Sequence, residues 1–270
     1  MDKRQDIQIY ELAYNKVNYG FWDNSLYTPL QCGADRSHEN VCELKDNTGI
    51  NISAHNFYYS ETTGTFWMWK NAPKTDYIGQ CQYRRRLKFD EDYDFNKIFN
   101  RQRIIVAKPM FIGRPLRRQM SVCHPQIDIK AFEDIVYETQ PAYKKVFEQV
   151  FNNGCALFFS SSYIMKYEDF CRYCNFMFSI LRKYEERFHF DDESTLRKYV
   201  KDKLKNPSSG IMSKPLEYHM LIGGFIQERL FTSWILKRFM QSEIYYKDFK
   251  FMDPEASLKK MVRIAQKAAQ

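Results

Sequence analysis

Residues 77–86 read YIGQCQYRRR, and this stretch decides the fold. Its first seven residues, closed by Tyr83, form a short β-prone run, and Arg84, Arg85 and Arg86 follow at once. A buried strand that ends in cations is a familiar arrangement in open α/β sheets, whose ligands bind where loops leave the carboxyl ends of strands. Guanidinium groups at such a place can clamp a phosphate bidentately. A solvated basic turn is the plainer alternative for the triplet alone.

Outward from this stretch, strands and helices interleave. Residues 7–12 (IQIYEL) alternate and predict a first strand, and residues 104–107 (IIVA) predict a third that Pro109 ends. Residues 15–56 read as a loop-like region rich in Asn, Asp and Gly, and residues 60–71 as one helix stopped by Pro73. Helical periodicity covers 127–139 and 142–151, split by Pro141, and returns over 167–189 and, after a Gly223-Gly224 break, over 219–240. Residues 156–160 and 162–165 predict strand, and 198–210 an exposed loop. The expectation is one α/β domain over residues 1–240 with a helical C-terminal part, followed by a basic amphipathic tail over 241–270.

Composition narrows the function classes. The 270 residues carry 41 Lys and Arg against 33 Asp and Glu, a net charge of +8, with 44% hydrophobic and 17% aromatic residues. A sizeable core follows, and disorder does not. No apolar run suits a signal peptide or the roughly 20 residues of a membrane span. Seven cysteines at irregular spacing include one CxxC, Cys171 and Cys174, with no second pair to complete a zinc site. Free thiols in a reducing cytosol are expected. The basic residues are dispersed, with no RNA-binding signature, so a nucleic-acid partner is not expected.

Motifs for P-loops, Rossmann dinucleotide sites and GxSxG hydrolases are missing. Asp92-Tyr93-Asp94 and Asp90-Glu91-Asp92 have the form of a divalent-cation motif, or of an ordinary acidic loop. His124 and Asp128, four apart at a helix entry, would share a face if helical and act as base and orienter, or serve as a cap.

Longer words carry a resemblance. Asp46-Asn47-Thr48-Gly49, Asn51-Ile52-Ser53, Asn56, Tyr59, Glu61, Trp67, Trp69-Lys70-Asn71, Tyr77-Ile78-Gly79 and Tyr83-Arg84-Arg85 run in register with one family's pattern. Tyr27, Pro29-Leu30-Gln31 and Gly33 match it earlier; His124, Asp128, Tyr163-Ile164-Met165-Lys166 and Gly224-Phe225 with Glu228-Arg229-Leu230 match it later. Over about residues 7–236 the chain resembles the bacterial capsular and exopolysaccharide glycosyltransferases, long catalogued as a domain of unknown function.

The resemblance implies a GT-A-like, Rossmann-like nucleotide-sugar-binding sheet flanked by helices. It implies transfer of a hexose from a nucleotide-diphosphate donor, such as UDP-galactose or UDP-galactofuranose, to a glycan or lipid-linked glycan. Carried over by position, Asp46, Asn47 and Asn51 belong to the donor side of the pocket, supported by Glu61, Trp67 and Lys70. Tyr83, Arg84 and Arg85 face the diphosphate; His124, Asp128, Glu228 and Arg229 face the reacting end. An inverting mechanism would take Asp128 first, or Glu228, as the base, with the arginines stabilising the leaving group. No metal ligand is assigned, and a divalent cation, magnesium or manganese, stays open as cofactor. The chain would work in the cytoplasm, its tail resting on anionic lipid at the inner face of the membrane.

Four departures stand out. Asn15, Ile50, Ser60 and Gln82 replace a His, an Asp, a Cys and a His of the family pattern. Altered specificity, or a non-catalytic nucleotide-sugar or glycan-binding remnant, would follow from such losses.

Overall fold

In the computed structural model, β1 (Ile7–Ala13) lies at the centre of a parallel trio, flanked by β2 (Tyr27–Gln31) and β3 (Tyr77–Gln82). The structure describes residues 6–14, 26–89, 93–205 and 214–252, with the side chain of Ser160 outside the description. Beyond β3 the sheet continues through β8 (Tyr163–Lys166), antiparallel, to β5 (Ile104–Ala107) and then β9 (Ile244–Lys247), parallel to β5. At the carboxyl end of β3 a tight turn through Tyr83 and Arg84 leads into β4 (Arg85–Leu87), which pairs with β10 (Phe249–Phe251). The short strands β6 (Met110–Phe111) and β7 (Ala156–Leu157) form a separate antiparallel pair.

Alternation along the strands divides the core in two, as a period of two must. Leu12, Leu30, Ile78, Ile104, Val106, Tyr163 and Met165 face the larger cluster. That face is covered by α2 (Thr62–Asn71), α5 (Ile129–Thr139), α6 (Lys144–Asn153), α7 (Tyr167–Phe188) and α10 (Ile222–Arg238). Ile9, Tyr27, Tyr77, Cys81, Ile105 and Ile164 face the smaller one, closed by Ile98 and Phe99 of α3 (Phe95–Phe99). The remaining helices are α1 (Asn56–Tyr59), α4 (Leu116–Cys123), α8 (Glu193–Lys203) and α9 (Leu216–Met220).

Two glycines set the close approaches that matter. A methyl group at Gly64 would sit 2.5 Å from Cys32 Sγ and 3.0 Å from a Leu12 methyl, so α2 presses directly onto the sheet. At Gly224 it would sit 2.9 Å from Ser60 Cβ, so the first turn of α10 abuts the chain just before α2.

The α/β expectation holds, and several boundaries move. The loop-like region contains β2, whose internal Pro29 is tolerated because, among the described residues, β1 is the one strand it pairs with and its other side carries a single bridge, Gln31 with Lys45, beyond the proline. The helix expected over 60–71 is α2, beginning at Thr62, and a separate short helix, α1, precedes it, the two parted at Ser60, whose φ of 54° breaks the helical path. The expected loop over 198–210 begins as the end of α8, capped by the Asp192 side chain. The Gly223-Gly224 pair lies inside α10, and the break falls at Leu221. The strand expected over 156–160 is only β7, followed by a 3-10 turn at Phe159–Ser161. Residues 244–251, assigned to a tail, are strands of the central sheet, so the boundary at 240 cuts through the folded unit. The basic segment over 257–270 lies outside the described residues.

Candidate active site

The three consecutive arginines divide their work, because residues on a strand alternate between faces. Arg86 turns to the smaller core and is buried over the Tyr27 ring, with two hydrogen bonds to the Glu11 carboxylate at 2.8 and 2.9 Å. Arg85 turns to the helix-covered face, where it is 9% exposed and stacks on the Phe159 ring at 4.4 Å. Arg84, in the turn, is exposed and donates through Nε to Tyr83 Oη at 2.8 Å.

Arg85 is the hub of a charged cluster at the carboxyl end of β3. Burial lowers its pKa; Glu228 and Glu61 pull the other way, while Arg84 adds to the depression. Its Nη1 donates to Gln82 Oε1 at 3.1 Å, and Gln82 Nε2 in turn donates to Glu61 Oε1. Ser60 Oγ donates to the other Glu61 oxygen. Glu228, 13% exposed, accepts from Arg229 Nη1 at 3.2 Å. A guanidinium has five N–H donors. Among the described residues, Gln82 is the one acceptor that Arg85 meets, which leaves most of its fork for an anion.

Backbone strain brackets the cluster. Ser60 and Ser161 are non-glycine residues at positive φ, 54° and 43°. Such conformations persist only where the surroundings hold them, and they concentrate at functional sites. Ser161 is held by a buried chain of amides: Thr65 Oγ1 donates to Gln80 Oε1, Gln80 Nε2 to Ser161 O, and Gln227 Nε2 to Ser161 Oγ and Tyr173 Oη. Its turn carries Phe159, the ring beneath Arg85. Phe159 and Ser161 escape a reading from sequence, whereas Ser60 and Gln82 stand there only as departures from the family pattern, without a role.

The first motif is built differently from its expectation. Asp46 is fully buried, and its carboxylate accepts from Gly33 N at 2.7 Å, Ala34 N at 3.0 Å and Ser53 Oγ at 2.5 Å. Asn47 donates to Asp35, and Asn51 bridges Gly49 O and Ser53 N. Trp67 Nε1 donates to Thr48 Oγ1, and Asn71 makes two hydrogen bonds to the Ile50 backbone, above Gly49 at φ 56°. The two motifs, some 20 residues apart, are therefore halves of one clamp that fastens the 46–53 loop to α2. Lys70 is exposed, with its ammonium 3.2 Å from the Trp69 ring centre.

The reacting-end residues separate too. His124 closes α4 and Asp128 caps α5, so they flank a turn and do not share a helix face. Asp128 accepts from Ala131 N at 2.9 Å, the ordinary work of an N-cap. His124 is 5% exposed and stacked on Phe225 at 3.8 Å. Burial, then Arg229 and His219, hold its pKa well below the usual range, so it is neutral. Arg229 is fully buried and ties α10 to α4 through Gln119. The structure thus brings together Glu61, Tyr83, Arg84, Arg85 and Glu228, with Arg229 and His124 packed behind.

Among the described residues no group of three His, Cys, Asp or Glu side chains converges. Asp94 caps α3, and the rest of the acidic run, residues 90–92, lies outside the description. Among the described residues no helix is long and apolar enough to cross a membrane.

Sheet order, helical cover and a charged cluster at the carboxyl edge define an α/β protein of GT-A-like architecture. The chain belongs to the family described as a domain of unknown function, DUF4422, whose model matches residues 8–204. It is also similar to a solved structure described as the apo form of WbbM, a bifunctional glycosyltransferase, with a TM-score of 0.65 and 22% identity. The match covers 91% of this chain and 45% of that one, so the chain spans less than half the length of that protein. No curated protein matches.

Proposed function

We propose that this chain transfers a glycosyl group from a nucleotide-diphosphate sugar to a glycan or lipid-linked glycan hydroxyl. The carrying observation is the half-satisfied Arg85 guanidinium, buried within the electrostatic reach of Glu228 and Glu61 at the carboxyl end of β3. A cation in so dry a place suits an anionic ligand that arrives, and a leaving diphosphate is one. The fold shared with a protein described as a glycosyltransferase supports the same conclusion. The donor is a UDP-hexose such as UDP-galactose or UDP-galactofuranose, the choice the sequence resemblance favours. The acceptor class suits capsular or exopolysaccharide assembly at the cytoplasmic face of a membrane, with the basic tail on anionic lipid.

In this scheme the transfer inverts the anomeric centre. Glu228 takes the proton of the acceptor hydroxyl, whose oxygen forms the new bond to the anomeric carbon. The bond to the diphosphate oxygen breaks, its electrons stay with the nucleoside diphosphate, and Arg85 with Arg84 meets the charge. Glu228, held by Arg229, replaces Asp128 as the preferred base because the Asp128 carboxylate serves a helix start, whereas Glu228 lies near enough to Arg85 to act on its charge. In this scheme no step is routed through a divalent cation.

The experiment is a panel of nucleotide sugars, with and without chelator, scored for nucleoside-diphosphate release and transfer. Turnover that survives chelation is expected. Tight UDP binding with no turnover of any donor would instead make the chain a binding remnant.

A further inference from the structure

The geometry assigns to Gln82 the role of positioning residue for the diphosphate-binding arginine, a proposal that rests on the function proposed above. Its amide has a definite polarity. The Nε2 end donates to the Glu61 carboxylate and the Oε1 end accepts from Arg85 Nη1 at 3.1 Å. Partners of opposite charge dictate which end faces which, so the amide cannot flip without two repulsive contacts.

The neutral bridge solves a specific problem. Glu61 opens α2 and Arg85 opens β4, and a direct ion pair between them would neutralise the guanidinium before any ligand arrived. Gln82 keeps the two charges apart while giving each one hydrogen bond. Among the described residues Arg85 is then oriented by a single Nη1 contact and by the Phe159 ring, with its remaining donors unclaimed by them. The charged and titratable groups around this bridge are Glu61, Arg85, Arg84, Tyr83 and, from α10, Glu228. The carboxamide does not titrate, so the bridge is indifferent to pH.

An isosteric substitution converts that indifference into a signal. In Gln82→Glu, the protonated acid can donate its O–H to Glu61 and accept from Arg85, which restores both contacts. The ionised form repels Glu61 and pairs directly with Arg85, which takes the guanidinium from the ligand. The new acid and Glu61 would share a proton, which raises the pair's pKa, while the Arg85 charge pulls the other way. Gln82→Met fills similar space and makes neither hydrogen bond at any pH.

UDP affinity by calorimetry and thermal midpoint are measured from pH 5 to 8 for wild type, Gln82→Glu and Gln82→Met. At pH 8 both variants should bind UDP about tenfold or more weakly, the loss of one hydrogen bond to a charged group. Gln82→Glu should return toward wild type as pH falls, in affinity and in midpoint, while Gln82→Met stays weak. Wild-type affinity for either variant at pH 8 would overturn the proposal, as would a Gln82→Glu defect unchanged by pH. If wild type binds no UDP while the midpoint gap of Gln82→Glu still closes on acidification, the bridge stands and the donor assignment fails.

Discussion

Arg86 and Glu11 form a buried bidentate pair across the sheet, at 2.8 and 2.9 Å, with side chains 6% and 0% exposed. Arg85, the next residue back, points to the opposite face and, among the described residues, meets no carboxylate in a hydrogen bond. One arginine is thus consumed by the fold, and its neighbour is the one the proposed function assigns to the ligand. Burial pushes the Glu11 carboxyl above its ordinary range, and the Arg86 hydrogen bonds pull it back. Arg86→Met should therefore strand a buried carboxyl and cost about 3–5 kcal/mol in chemical denaturation. Adding Glu11→Leu should recover most of that loss, because the unpaired group is then gone.

For Arg85 and Arg84 the expected effects are on the ligand. Arg85→Lys should raise the donor KM about tenfold or more, since a lysine cannot reproduce a planar fork stacked on Phe159. Arg84→Lys should do less, and its effect should shrink with added salt, because Arg84 is exposed. Steady-state kinetics at two ionic strengths separates them.

Glu228 and Asp128 give the sharpest contrast. Glu228→Gln should lower kcat by about 10²–10⁴ with little change in donor KM, as loss of a general base does. Asp128→Ala should cost about 1 kcal/mol of stability through the lost cap and leave kcat near wild type. A Glu228→Gln enzyme with wild-type kcat would remove Glu228 from the base position.

Gly224 tests whether α10 must press on the Ser60 corner. Gly224→Ala places a methyl 2.9 Å from Ser60 Cβ, one turn before Glu228. The expected cost is about 1–3 kcal/mol from overpacking. Turnover should fall further than that loss of folded protein explains, because Ser60 holds Glu61 and α10 holds Glu228. Activity normalised to folded protein reads this directly.

His124 predicts an acid limb in stability. Burial holds its folded pKa well below 6.5, so on acidification through that value the unfolded chain takes up a proton that the folded chain refuses. Stability therefore falls as pH drops below the unfolded value, with a slope approaching about 1.4 kcal/mol per pH unit. His124→Phe keeps the stack on Phe225 and should flatten that limb. His55 works in the opposite sense. Its hydrogen bond to Glu185 raises its pKa, so its stabilising effect is full below the unfolded value and is lost as pH rises through the folded one. Denaturation midpoints from pH 5 to 8 for wild type, His124→Phe and His55→Ala should show both signs.

The central strands β1, β3, β5 and β8 and the long helix α7 were legible because each is buried locally and keeps its own period. The edge strands were not. β2 carries a proline, and β9 and β10 are short and half-exposed; only partners far along the chain make strands of them. The sequence alone determined the class of fold, the cation-bearing end of β3 and the motif words around it. Which arginine is structural, that Asp46 and Asp128 serve the backbone, and that Glu228 lies near enough to Arg85 to act on its charge were decided only in three dimensions. The physical reason is that charge chemistry depends on burial and on partners, and these partners lie up to 143 residues apart (228 − 85). Chain order carries no record of which carboxylates are already engaged by backbone donors.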